Sequence, residues 1–260
     1  MDLGIKGRHA IVCAASAGLG RACAESLARE GCDLTIIART PENVRQAAEE
    51  IARAHRVRVT PVAGDVNTEA GREALLAACP SPDILVTSPG TRQVPGDFRT
   101  WERAEWERWW NEHFYTAVEL IRRTAPGMCE RKFGRVVNIS VSFIKFPQVG
   151  FAHSHSARAG LAAAIASMSR ELIPHNVTVN SVCPGLFDTE ALRVNLHGHA
   201  KRGNTTYEAI VENRLQTCPA GRFADPSECG DLVAYLCSAQ AGFITAQNIV
   251  NDGGFYQGLF

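Results

Sequence analysis

The stretch Cys13-Ala14-Ala15-Ser16-Ala17-Gly18-Leu19-Gly20-Arg21-Ala22 decides how the chain is read. It follows a short apolar run, His9–Cys13, and opens onto a helical pattern at about 20–30. A small residue at 14 and glycines at 18 and 20 let a backbone approach a pyrophosphate closely, and the helix that begins there offers free N–H groups and the positive end of its dipole. A glycine pair before a helix can also be no more than a tight turn. The rest of the sequence must choose between the two.

Working outward, short apolar runs alternate with longer helical patterns. Strands are expected near His9–Cys13, Asp33–Ala38, Arg58–Ala63, Ile84–Thr87, Arg135–Ser140, Thr178–Val182 and Gln247–Val250. Helices fall between them at about 20–30, 41–55, 68–79, 101–128, 154–173 and 226–238. This alternation is the pattern of βαβ units, so the fold class expected is α/β, a doubly wound parallel sheet in a single domain over 1–260. The polar segment at about 190–220 breaks the alternation and reads as a mobile insertion over the substrate side of the sheet.

Composition narrows the function classes. With 27 Lys and Arg against 27 Asp and Glu the formal charge is zero, which gives no field for nucleic acid or an anionic membrane surface. Nine cysteines without a C-x-x-C pair read as reduced, mostly buried thiols, with neither a disulfide framework nor a metal site. No apolar run approaches a membrane span and no signal arrangement opens the chain, so a soluble, cytoplasmic protein is expected.

Taken in order, the motifs resemble the short-chain dehydrogenase/reductase family along essentially the whole chain, which implies a Rossmann-type fold. The family's T-G-x-x-x-G-x-G corresponds to Cys13, Ala14, Ala15, Ser16, Ala17, Gly18, Leu19 and Gly20. Asp65-Val66 corresponds to its adenine-contacting pair, and Thr87-Ser88-Pro89-Gly90 to its N-N-A-G. The stretch from Gly134 to Ser140 matches its fifth strand, and Pro184-Gly185-Leu186 with Thr189 matches its nicotinamide-side P-G-x-x-x-T. The resemblance implies that these residues bind a dinucleotide and that the protein is a homodimer or homotetramer. Arg39, with no carboxylate at the end of the second strand, favours the 2′-phosphate of NADP, with NAD as the other possibility.

Where the resemblance implies catalytic residues, the sequence departs. The tyrosine and lysine of Y-x-x-x-K fall on Ser154 and Arg158, the serine falls on Val141 between Ser140 and Ser142, and the asparagine falls on His113. A serine hydroxyl cannot replace a phenol as proton donor without a strong base, and a guanidinium does not deprotonate, so Arg158 is read as holding the nicotinamide ribose. His113, His153 and His155 are the candidate proton donors, because histidine titrates near 6.5. Tyr115 and Lys145 are further candidates, and a bulge could bring Ser140 or Ser142 into the lost serine's place.

The segment around Ser154 also looks like that of peroxisomal-type enoyl-CoA and dienoyl-CoA reductases. The reading is therefore an NADP(H)-dependent oxidoreductase that reduces a carbonyl or conjugated enoyl group of a small-molecule or acyl-thioester substrate with non-standard acid chemistry. The alternatives are a catalytically inactive NADP(H) sensor and a lyase or dehalogenase-like activity.

Overall fold

The computed structural model describes residues 1–88 and 95–259. Pro89 and Gly90 lie outside the described residues. The chain runs β1 (His9–Cys13), α1 (Gly18–Arg29), β2 (Asp33–Ala38), α2 (Pro41–His55), β3 (Val59–Ala63), α3 (Glu69–Ala78) and β4 (Ile84–Thr87). It continues with α4 (Arg103–Trp110), α5 (Thr116–Glu130), β5 (Gly134–Ile139), α6 (Ala152–Leu172) and β6 (Val177–Pro184). The last elements are α7 (Glu190–Arg202), α8 (Tyr207–Thr217), α9 (Pro226–Leu236) and β7 (Asn248–Asn251).

The strands form one parallel sheet in the order β3-β2-β1-β4-β5-β6-β7. Side chains alternate between its faces, as the pleat requires. Ala10 and Val12 of β1 join the core layer that holds Leu27 of α1 and Val233 of α9. Ile11 and Cys13 join the layer that holds Leu75 of α3, Leu120 of α5 and Leu161 of α6. Each fully buried leucine, such as Leu27 or Leu120, contributes about 1.5–3 kcal/mol by leaving water. Helices on both faces explain why β4, β5 and β6 are buried along their whole length.

Three features refine the sequence reading. The helix expected over 101–128 is a single rod from Arg103 to Glu130 with a π turn, Asn111–Tyr115, inside it. The expected insertion near 190–220 holds two helices, α7 and α8, each begun by a threonine whose hydroxyl accepts a backbone N–H: Thr189 from Leu192 and Thr206 from Ala209. The strand order reverses between β1 and β4, and a doubly wound sheet opens a crevice at such a switch point, beyond the carboxyl ends of the strands.

Candidate active site

The nucleotide side is built from the turn after β1. Ala14 takes a left-handed φ of +51° and Gly18 one of +58°. A Cβ on Gly20 would stand 2.4 Å from the Ala14 carbonyl oxygen, so only glycine lets α1 close onto β1. The first turn of α1 has no side-chain cap at Ala17 and no acidic residue, which leaves its N–H groups for an external anion. A cleft of about 310 Å³ opens beside it, lined by Ala14, Ser16, Arg39, Asn43, Asp65 and Val66 among others. Arg39 is exposed there, and among the described residues no carboxylate pairs with it.

The remaining nucleotide candidates are distributed around this turn. Gly18 and Thr189 border a second cleft of about 370 Å³, and Leu186 lines a smaller one with Asp252. Gly185 packs so tightly on Asp252 that an added Cβ would lie 2.5 Å from the aspartate's own. Cys13 turns into the core with Ile11, so its thiol stands outside the nucleotide cleft's lining. Burial pushes that thiol up to about 12, and it lies against the backbone of Ser88. This free N-terminus, the glycine cradle and the adjoining cleft fit an adenine dinucleotide.

The catalytic candidates gather at the ends of β5 and β6. Ser154 and Arg158 sit one turn apart on α6, and the Arg158 Nε–H donates to Ser154 Oγ at 3.4 Å. Both side chains are buried, Ser154 at 0% exposure and Arg158 at 8%. Burial lowers the guanidinium to about 10, so it stays charged at neutral pH. His155 accepts the Gln148 backbone N–H at Nδ1, 3.3 Å away, while its enclosed Nε2 has no partner. Neither ring nitrogen of His113 has one. The hydroxyl of Ser142 is likewise enclosed and unpartnered, and Ser140 lies beside the Cys183 thiol.

Burial changes the protonation expected from the sequence. Desolvation first, and the Arg158 charge second, lower His113 to about 2 and His155 to about 4. Both rings are therefore neutral where a histidine at its ordinary 6.5 would be titrating. The Nδ1 of His155 accepts a hydrogen bond, so its proton sits on Nε2, pointing at no protein partner.

His153 lies within electrostatic reach of His113 and His155 and sits in a cluster of aromatic rings. Its ring stacks on Trp101 at 3.9 Å and packs on Trp109 at 4.4 Å, its Nδ1 accepts the Ser154 N–H at 2.7 Å, and its Nε2 stands 4.0 Å from Glu105. These contacts hold the ring at the start of α6. Tyr115 is 53% exposed, and Val141, the position of the expected serine, precedes the turn Ser142–Ile144, of which Ser142 is buried. The charge of Lys145 acts on Cys183.

Two contributors were not read from the sequence. Thr116 fixes the π turn with one hydroxyl proton shared between Asn67 Oδ1 at 3.0 Å and the Asn111 carbonyl at 2.9 Å, while Asn111 Nδ2–H donates to the Asn67 carbonyl at 3.0 Å. His113 lies within this turn and feels the Arg158 charge, and π turns recur at functional sites. An aromatic wall also flanks His155: Phe143 lies 6.0 Å from it and 5.1 Å from Phe146, which stacks on Tyr256 at 5.4 Å. The spacing of Phe143 and Phe146 just after β5 was the available signal.

Comparison with known proteins places the whole chain among reductases. Residues 13–256 match the family model described as enoyl-(acyl carrier protein) reductase. The chain is 31% identical to an uncharacterized oxidoreductase, YvaG, of Bacillus subtilis, over the full length of both. It is 30% identical to the 3-oxoacyl-[acyl-carrier-protein] reductase FabG of Aquifex aeolicus, over 98% of this chain and all of the relative. Among solved structures, L-sorbose reductase from Gluconobacter frateurii complexed with NADPH and L-sorbose superposes with a TM-score of 0.93 at 28% identity, over both chains entire.

Proposed function

The chain belongs to the short-chain dehydrogenase/reductase family, and from that premise we propose that it is an NADPH-dependent reductase of a carbonyl or conjugated enoyl group whose acid chemistry does not use a tyrosine. NADPH, when bound, supplies the hydride. Arg39 accepts the 2′-phosphate, the α1 N-terminus the pyrophosphate, and the fork of Arg158 with Ser154 the nicotinamide ribose. Ser88, Pro184, Gly185 and Thr189 would border the nicotinamide. His155 Nε2–H and neutral His113 donate hydrogen bonds to the oxygen on which charge develops, the fixed charge of Arg158 stabilises it, and the proton comes from solvent. Neutral imidazole as an electrophile is an established arrangement for a ring whose protonation the site suppresses.

The observation that carries this reading is the pair of enclosed imidazoles, His113 and His155, whose unpartnered ring nitrogens lie within reach of the charge of buried Arg158, since buried polar atoms are almost always satisfied. The NADPH named for the L-sorbose reductase complex, and the 3-oxoacyl reduction named for FabG, support the cofactor and reaction class. Helices α7 and α8 cover the substrate side, and α5 and α6 carry a homodimer or homotetramer contact in a cytoplasmic protein. Among the described residues, no helix is long and apolar enough to cross a membrane.

The test is titration with NADPH and NADH, followed by stopped-flow oxidation of bound NADPH against ketone and enoyl-thioester panels. NADPH should bind more tightly and be oxidised by at least one panel member. Its turnover should stay flat from pH 6 to 8, because neither buried histidine titrates there. Tight NADPH binding with no oxidation by any substrate would favour the inactive sensor instead.

A further inference from the structure

We infer that Glu112 is a positioning residue for the reductase, holding the Arg158 charge in place while leaving its fork open to the nicotinamide ribose; this rests on the reductase reading above. Glu112 lies in the π turn Asn111–Tyr115, which packs on α6. The approach is close because position 160 of α6 has no side chain: a Cβ on Gly160 would meet the Trp110 ring at 3.1 Å and the Phe114 ring at 3.7 Å. The wide turn divides its polar side chains between two neighbours. Asn111 Nδ2–H donates to the Asn67 carbonyl, and the Glu112 carboxylate faces Arg158.

The two oxygens of Glu112 differ. One stands 3.7 Å from Arg108, whose side chain is half-exposed. The other, Oε2, is enclosed and has no hydrogen-bond partner, the only carboxylate oxygen in that state among the described residues. A buried charge is retained when an opposite charge offsets it. Glu69 and Arg72 do this by direct contact at 2.8 Å. Among the described residues no ion pair joins Glu112 to Arg158 directly, and the one hydrogen bond of that guanidinium is Nε–H to Ser154 Oγ at 3.4 Å. A carboxylate in contact would occupy the fork, whereas one set back offsets the charge and leaves the terminal N–H groups for ribose hydroxyls. No other group near Arg158 supplies negative charge. The Cys183 thiol, pushed up to about 11, is neutral, as are His113 and His155, and Lys145 on the Cys183 side is positive. Asp252, also near Cys183, accepts the backbone N–H groups of Gly254 and Tyr256.

Binding without turnover tests this, with NADP⁺ and with adenosine 2′,5′-bisphosphate, which carries the 2′-phosphate but no nicotinamide ribose. Glu112→Gln keeps the shape and removes the charge, so calorimetry should show NADP⁺ bound more weakly by about fivefold or more and the bisphosphate bound as before. Equal changes for both probes, or none, overturn the proposal, because lost packing would not single out the nicotinamide end. Where Glu112→Gln does not fold, the double variant with Arg158→Gln, which removes both charges, should fold; a double variant that also fails overturns the proposal. A second measurement makes the cation titratable. In Arg158→Lys, NADP⁺ affinity should fall as the pH rises through the ammonium pKa. Adding Glu112→Gln should move that midpoint down by about half a pH unit or more, since a nearby negative charge favours the ammonium form. An unmoved midpoint overturns the proposal. Failure of the unaltered protein to bind NADP⁺, or to oxidise NADPH with any panel substrate, overturns the reductase reading instead.

Discussion

At the scale of single residues, Ala14 and Gly20 show what a sequence does and does not disclose. The glycine spacing revealed the turn, yet the two positions have different reasons: Gly20 is required by space and position 14 by conformation. Alanine at φ +51° carries a left-handed backbone that costs about 1–2 kcal/mol, partly offset by its smaller entropy in the unfolded chain. Ala14→Gly should therefore stabilise the protein by about 0.5–1 kcal/mol, read as a higher urea midpoint at unchanged slope. A lower midpoint would mean that the alanine methyl makes contacts worth more than the strain. Arg39, legible as a charge at the end of β2, stands exposed on the nucleotide cleft. A charge-assisted contact to phosphate is worth about 1.5–3 kcal/mol, so Arg39→Asp should weaken NADPH binding at least tenfold and leave NADH nearly unchanged. Equal losses for both would remove the 2′-phosphate role. The histidines were legible as chemistry but not as protonation states, because burial and a neighbouring guanidinium set those, and both arise only in the folded chain.

At the scale of elements, the sequence was clearest where local pattern and tertiary context agree. The expected bounds of β1, β2 and β4 coincide with the strands formed, since each is an apolar run closed by turn residues. The helices α7 and α8 escaped because their polar sequences carry little apolar periodicity, although Thr189 and Thr206 stood as legible caps. The π turn at Asn111–Tyr115 could not be read locally, because it depends on Asn67, which meets Thr116 from a distant part of the chain. Thr116→Val tests that link: it keeps the shape of a buried side chain and removes the hydroxyl whose proton is shared between Asn67 Oδ1 and the Asn111 carbonyl. Leaving these acceptors unmet should cost about 1–3 kcal/mol. If the π turn aims His113, turnover with the panel substrate should fall more than NADPH affinity does. Equal falls in both would make the turn a packing feature without a role in aim.

At the scale of the whole molecule, the same buried groups set the pH range over which the fold is stable. Burial lowers His9, His153 and His199, and most of all His113, to about 2, and His155, to about 4, so these two rings stay neutral when folded but take up protons near 6.5 once unfolded. The unfolded state then binds more protons than the native state, so stability is fully present above about 6.5 and falls as the pH drops toward the folded values. Each such group contributes about 1.4 kcal/mol per pH unit inside its window. Lowered carboxylates such as Asp97, Asp225 and Glu228 add a loss of the same sign, but only below their ordinary range near 4, so between pH 6.5 and 5 the histidines dominate. At the other end, burial raises Cys13 and Cys32 to about 12 and Cys183 to about 11, so the unfolded chain releases protons first and stability falls again above about 9. Urea unfolding should therefore show a plateau between about pH 6.5 and 9 with a decline on both sides. His155→Gln and His113→Gln should each make the acid limb shallower, whatever either does to stability at pH 7. An acid limb between pH 6.5 and 5 as steep in both variants as in the parent would show that these rings are hydrated and titrate normally, and the neutral donors assigned to the active site would fall with them.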